Sequence, residues 1–183
     1  MTITPEVTKN LAPAGKLRAG INYGNPVLAR RDPATGELHG VAVDLSRELS
    51  RRLQLTMEVI AFDSAGKLFD AAKTGAWDVA FLAIDPGRAA EVDFTAPYVE
   101  IEGTYLFPPA SKLRGIGDVD RDGVRVGVSG GSAYDLFLSR SLKHAQLVRA
   151  SSPDTTFPLL VSGAVDVLAG VRQHLVANSA KLP

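Results

Sequence analysis

Cysteine is missing from all 183 residues, which excludes disulfides, a thiol nucleophile and thiolate metal sites. It leaves the compartment open, because a cysteine-free chain is stable in either redox state. Histidine is scarce: His39, His144 and His174 are scattered, which argues against a metal site and leaves Ser132 without a recognisable catalytic partner motif. Net charge is also missing, since 20 Lys and Arg balance 20 Asp and Glu, so nothing calls for nucleic acid or an acidic membrane surface. No apolar run approaches a membrane span, so no membrane insertion is expected. The start, Met1 to Val7, lacks the basic segment and apolar core of a secretory signal. If Met1 is the natural start, the expectation is a cytoplasmic protein. What is present is a 45% hydrophobic composition, enough for one core or two small ones, and a small molecule as the expected partner.

Along the chain, strand signals alternate with helix signals. Lys16–Asn22 and Thr56–Phe62 read as strands, and Trp77–Ile84 as an apolar run of strand length. Between them, Leu45, Leu49 and Leu53 recur every four residues beside a charged face of Arg47, Glu48, Arg51 and Arg52. Ser64 caps a further helix that stops at Gly75. Val99–Phe107 is extended until Pro108-Pro109 breaks it, which sets the expected domain boundary: residues 1–107 and 108–183. Beyond it come strands at Val124–Val128, Gln146–Ala150 and Val165–Gly170, separated by helices over Ser132–Leu142 and Pro153–Val161. Thr74-Gly75-Ala76-Trp77-Asp78-Val79-Ala80 is echoed by Ser162-Gly163-Ala164-Val165-Asp166-Val167-Leu168. The pattern predicts two similar α/β lobes, each a mostly parallel sheet flanked by helices, with the ligand site where the loops after the strands gather in the cleft between lobes.

Two stretches there carry chemistry. Asp85 suits an N-cap and Pro86 the first helical turn, which puts Arg88 at a helix start, where a cation opposes the helix dipole. Such an arginine either awaits an anion or pairs with Glu91 or Asp93 as a solvated side chain. Gly130-Gly131-Ser132 opens another helix, with Ser132 and Asp135 in a capping-box pattern, and offers either an anion-binding turn or a plain cap. It lacks the spacing and lysine of a nucleotide loop. Asp78 and Asp166 occupy equivalent places in the echo and read as structural.

Arg88 followed by Val92-Asp93-Phe94-Thr95-Ala96-Pro97-Tyr98 resembles the arginine-then-Asp-Phe-Ser-x-Pro-Tyr signature of the bacterial family 3 extracellular solute-binding proteins, which serve polar amino-acid ABC transporters. Gly40-Val41-Ala42-Val43-Asp44-Leu45 and Val126-Gly127-Val128-Ser129-Gly130-Gly131-Ser132 resemble two further family segments, and the similarity runs from about Leu17 to His174. The resemblance implies a two-lobed, type II periplasmic-binding-protein architecture, a periplasmic location, an ABC transporter permease as partner, no cofactor and no catalytic residue. Arg88 would hold a ligand carboxylate, with Ser132, Gly131 and Gly130 closing on it from the second lobe. Related scaffolds include cyclohexadienyl dehydratases, so an enzyme on this scaffold, or an intracellular sensing module, are the alternatives.

The departures from the family shape the ligand. Val171 stands where the family places an aspartate for the ligand's amino group, Ala83 lies in a segment without the usual hydroxyl, and Asn22 and Asn25 replace a frequent aspartate and aromatic. A buried ammonium would need a replacement acceptor such as Asn22, Asp63 or Asp85. The expected ligand is therefore a small carboxylate or modified amino acid. The chain is also expected to lack the C-terminal part with which members usually return to the first lobe.

Overall fold

The computed structural model describes residues 4–182. Met1, on which the cytoplasmic alternative rests, and the closing Pro183 lie outside the described residues. The chain forms two compact units, Met1–Ala83 and Ile84–Pro183. Among the described residues no helix is long and apolar enough to cross a membrane.

In the first unit, α1 (Pro5–Leu11) begins at Thr4, whose hydroxyl accepts the Val7 N–H. Strand β1 (Lys16–Asn22) is the centre of a parallel three-stranded sheet. A two-residue hairpin, β2 (Arg30–Arg31) with β3 (Leu38–His39), leads into α2 (Val41–Leu53). Strand β4 (Thr56–Phe62) then pairs with β1 from Lys16↔Thr56 to Asn22↔Phe62, the full length expected. The α2 stripe differs by about one position from the leucine spacing: Val43, Ser46, Ser50 and Leu53 are buried while Leu45 is exposed. Ser46 and Ser50 are tolerated inside because their hydroxyls donate to the Ala42 and Leu55 carbonyls. Ser64 caps α3 (Ala65–Asp70), which tightens into a 3-10 turn and stops at Gly75 in the left-handed region. The expected strand Trp77–Ile84 pairs only as β5 (Val79–Ala80), because the indole of Trp77 donates to the Leu68 carbonyl and Asp78 turns back to β1.

The second unit opens with α4 (Pro86–Ala89) and continues through β6 (Gly103–Leu106), β7 (Arg125–Ser129), α5 (Ala133–Ser141), β8 (Gln146–Ala150), α6 (Thr156–Val161), β9 (Val167–Val171) and α7 (Arg172–Ser179). Its sheet runs β6-β9-β7-β8, parallel except for β6. Val126, Val128, Leu138, Val167 and Ala169 form its core. The division between units therefore falls at Ala83/Ile84, earlier than the 107/108 boundary read from the proline pair. The reason lies in what the intervening residues bond to: β6 joins β9, and the α4 turn is tied to α5.

The echoed motif is the same physical device in both units. Arg18, on β1, donates its backbone N–H to Asp78 (2.8 Å), receives the Asp78 N–H on its own carbonyl (2.8 Å), and lays its guanidinium on that carboxylate and on the Gly75 carbonyl (2.6 Å). Arg125, opening β7, repeats every contact with Asp166 and the Gly163 carbonyl (2.9 Å). Gly75 and Gly163 both sit at positive φ (61° and 71°), the conformation that turns each carbonyl toward its arginine. Two residues beyond each arginine, Gly20 and Gly127 are closely covered: an added Cβ would lie 2.6 Å from Leu68 and 2.7 Å from Leu168.

Burial raises the Asp78 carboxyl, but Arg18 and the backbone N–H outweigh it and hold the group below its ordinary range. Asp166 is held below that range chiefly by Arg125. A carboxylate depressed in the folded state contributes stability fully above its unfolded value, near 4, and loses it as pH falls through the folded value. The thermal unfolding midpoint should therefore drop as pH is lowered from about 5 to 2, and less steeply in Asp78→Asn and Asp166→Asn. At pH 7, Asp78→Asn should be the more damaging, because its side chain is 3% exposed against 38% for Asp166. Equal midpoints for the two variants at pH 7 would contradict this ranking.

Candidate functional site

Among the described residues Arg88 is the largest fully buried side chain, 1% exposed. That excludes the solvated reading, and it follows from how the turn is built. Asp85 caps α4 by accepting the Gly87 N–H (2.9 Å), Pro86 supplies the first helical φ without needing an N–H partner, and the short helix turns Arg88 inward. The guanidinium donates to the Gly131 carbonyl (2.7 Å). Burial pulls its pKa down from the ordinary arginine value while Asp85 opposes that, and the group remains a cation at any physiological pH. The other Asp85 oxygen accepts from Arg140 on α5 (2.7 Å). Burial alone would raise Asp85; Arg140 and the Gly87 N–H hold it below the usual carboxylate range.

The turn after β7 differs from expectation in what it offers. The sequence suggests free N–H groups at Gly130, Gly131 and Ser132, but each is engaged: Gly130 donates to the Ala150 carbonyl (2.9 Å), Gly131 to Asp135 (2.8 Å) and Ser132 to the Ser129 carbonyl (3.2 Å). The Ser132 hydroxyl accepts the Asp135 N–H, as the capping pattern predicts, but the return leg from Asp135 reaches Gly131 instead of Ser132. The physical reason is the positive φ of Gly131 (67°), which rotates its N–H toward α5 and its carbonyl toward Arg88. The turn thus presents the Gly131 carbonyl and the Ser132 hydroxyl.

Arg88, Asp85, Gly130, Gly131 and Ser132 are brought together in the second unit. Val171 ends β9, pairing with Gly103, and the parallel register of β9 with β7 carries it to the same edge as the Gly130 turn. Asn22, Asn25 and Ala83 belong to the first unit. There Asn22 and Asn25 close local turns, their side-chain oxygens accepting the Gly24 (3.0 Å) and Val27 (3.2 Å) N–H groups. Each carboxamide is left with its NH2 as donor, which suits an oxygen-bearing group better than an ammonium. Ala83, exposed, ends that unit. Asp85, a candidate ammonium acceptor, has both oxygens engaged.

Asp135, Ser139, Arg140 and Arg149 escape a reading of the sequence for ligand contacts. Asp135 is buried and holds Arg149 (3.0 Å), Ser139 (3.2 Å) and the Gly131 N–H together; Arg140 reaches Asp85. The capping pattern flags Asp135, but nothing local joins it to β8 or joins Arg140 to α4. The arrangement is a buried guanidinium held by the Gly131 carbonyl at the edge of the second unit's sheet. Ser132 is engaged as a helix cap, while His144 and His174 lie beside Asp122 and Asn178. Asp135→Ala should cost about 2 kcal/mol of unfolding free energy, chiefly because it leaves the Gly131 N–H without its acceptor, while the half-exposed Arg149 returns to water. Chemical denaturation measures this, and a loss below about 1 kcal/mol would show that the Gly131 turn stands without Asp135.

Comparison with known proteins bears on this site. The family model of bacterial extracellular solute-binding proteins, family 3, matches residues 17–156. No curated protein matches. The fold is similar to that of an arginine-bound variant of ArgBP from T. maritima (23% identity over 95% of this chain and 81% of that one, TM-score 0.79). It is also similar to an arginine transport system periplasmic binding protein from Legionella pneumophila (24% identity, 88% and 70%, TM-score 0.74). A third likeness is to an ancestral amino-acid-binding protein described as a precursor of cyclohexadienyl dehydratase (24% identity, 95% and 77%, TM-score 0.77).

Proposed function

This chain belongs to the bacterial extracellular solute-binding proteins, family 3, and we propose that it is the solute-binding component of an ABC-type uptake system, taking a small carboxylate or amino-acid-like ligand. One observation carries the reading: a 1%-exposed guanidinium, Arg88, fixed by a capped turn at the edge of a parallel sheet. A guanidinium matches a carboxylate in charge and planar geometry, and forms charge-assisted hydrogen bonds with it. The Ser132 hydroxyl is a further contact in this proposal. Val171 in place of an acid, and Asp85 already engaged, remove two receivers for an ammonium; Asp63, in the first unit, holds Lys67 with one oxygen and keeps the other without a hydrogen-bond partner among the described residues. The loss of those two supports a ligand whose recognised end is its carboxylate. A permease partner and a periplasmic location are part of this proposal, supported by membership of the family.

Binding without chemistry is the proposed activity. Turnover is the second reading, favoured by the likeness to a precursor of cyclohexadienyl dehydratase. Product formation from prephenate or arogenate would establish it.

Thermal-shift measurements with acetate, succinate, benzoate, L-glutamine and L-arginine test the reading, since a ligand that binds only the folded state raises its midpoint. A shift from at least one simple carboxylate, abolished by Arg88→Ala, is the expected result. Tight binding of the two amino acids with none of the simple acids would overturn the ligand class. No shift from any compound would overturn the binding function.

A further inference from the structure

The buried turn that carries Arg88 also carries a negative charge. Asp85 lies three residues before Arg88, its side chain is 6% exposed, and its field opposes any anion that approaches the guanidinium. The carboxylate is neutralised from outside the turn. Arg140, near the far end of α5, sends its guanidinium to the free Asp85 oxygen at 2.7 Å, while Arg88 reaches the Gly131 carbonyl just ahead of the same helix. Ser132 and Arg140 stand about 12 Å apart along α5 at the helical rise, so two long side chains bracket the turn. Among these three side chains, two guanidinium groups stand against one carboxylate. Without Arg140, Arg88 and Asp85 contribute one charge of each sign.

We propose that Arg140 is a positioning residue for charge: by pairing with Asp85 it keeps the α4 turn net positive and makes the Arg88 site select an anionic ligand. This rests on the carboxylate reading of the site. Arg140 does not touch the ligand. Its effect is transmitted through Asp85, whose second oxygen is meanwhile held by the Gly87 N–H, so the acid cannot swing away when its partner is lost. An unneutralised acid beside a buried guanidinium is its natural counter-ion, and it competes with any incoming carboxylate.

Calorimetric titration of the intact chain with acetate, succinate and benzoate separates this from a purely structural role. Arg140→Gln keeps a hydrogen-bond donor toward Asp85 and removes only the charge; Asp85→Asn keeps the helix cap and removes the opposing charge. Arg140→Gln should weaken the tightest-bound of these acids by about tenfold, and Asp85→Asn in the Arg140→Gln background should restore binding to within about threefold of the unaltered protein. A packing defect would not be repaired by a second substitution. Binding that Arg88→Ala abolishes but Arg140→Gln leaves unchanged, or a double variant as weak as Arg140→Gln, overturns this proposal and leaves the carboxylate reading standing. No binding of any of the three acids, or binding indifferent to Arg88→Ala, overturns both.

Discussion

A guanidinium laid on a carboxylate at the start of a central strand is the constraint from which each half of this protein is built. Arg18 with Asp78, and Arg125 with Asp166, join the strand that leads each sheet to the segment that returns to it after a helix. The pairing is reinforced by main-chain bonds in both directions, so it fixes register as well as proximity. Charge alone at a partly exposed site would contribute little. The bidentate geometry, the backbone bonds and the left-handed glycine that lends its carbonyl make it a specific joint.

Fixing the entry of a parallel strand also fixes where it ends. β1 delivers Asn22 and β7 delivers Ser129 and the glycine turn to the carboxyl edge of their sheets, the edge at which α/β proteins place ligands. In the second unit that edge is crowded with charge, and its members hold one another. Asp135 fixes Gly131, Gly131 faces Arg88, and Asp85 is shared between the Arg88 turn and Arg140. The buried cation is the most costly member.

Membership of family 3 fits the residues that depart from it as well as those that match. The arginine turn and the glycine turn are retained in sequence. The glycine turn is nevertheless occupied by its own hydrogen bonds, and Val171 supplies no charge where an acid would receive an amino group. The three solved structures of similar fold described above share about a quarter of their aligned residues with this chain, so they speak for architecture and leave the ligand to these local differences.

Much of the fold was legible in the sequence. The apolar runs of β1 and β4, the Ser64 and Ser132 caps, the stop at Gly75 and the duplicated Gly-Ala-x-Asp segment are local signals, because hydrophobic period, capping and glycine conformation act within a few residues. Arg88 also stood out locally, as a cation at a helix start. Tertiary structure alone decided the rest. It shortened Trp77–Ile84 to two paired residues by engaging Trp77 and Asp78, shifted the buried face of α2 off Leu45, turned the Gly131 N–H inward, and placed the division of units at Ala83/Ile84. The partners of Asp85 and Asp135 belong with these. A salt bridge between residues 55 positions apart, such as Asp85 with Arg140, is set by how helices pack, and no local rule of spacing encodes that.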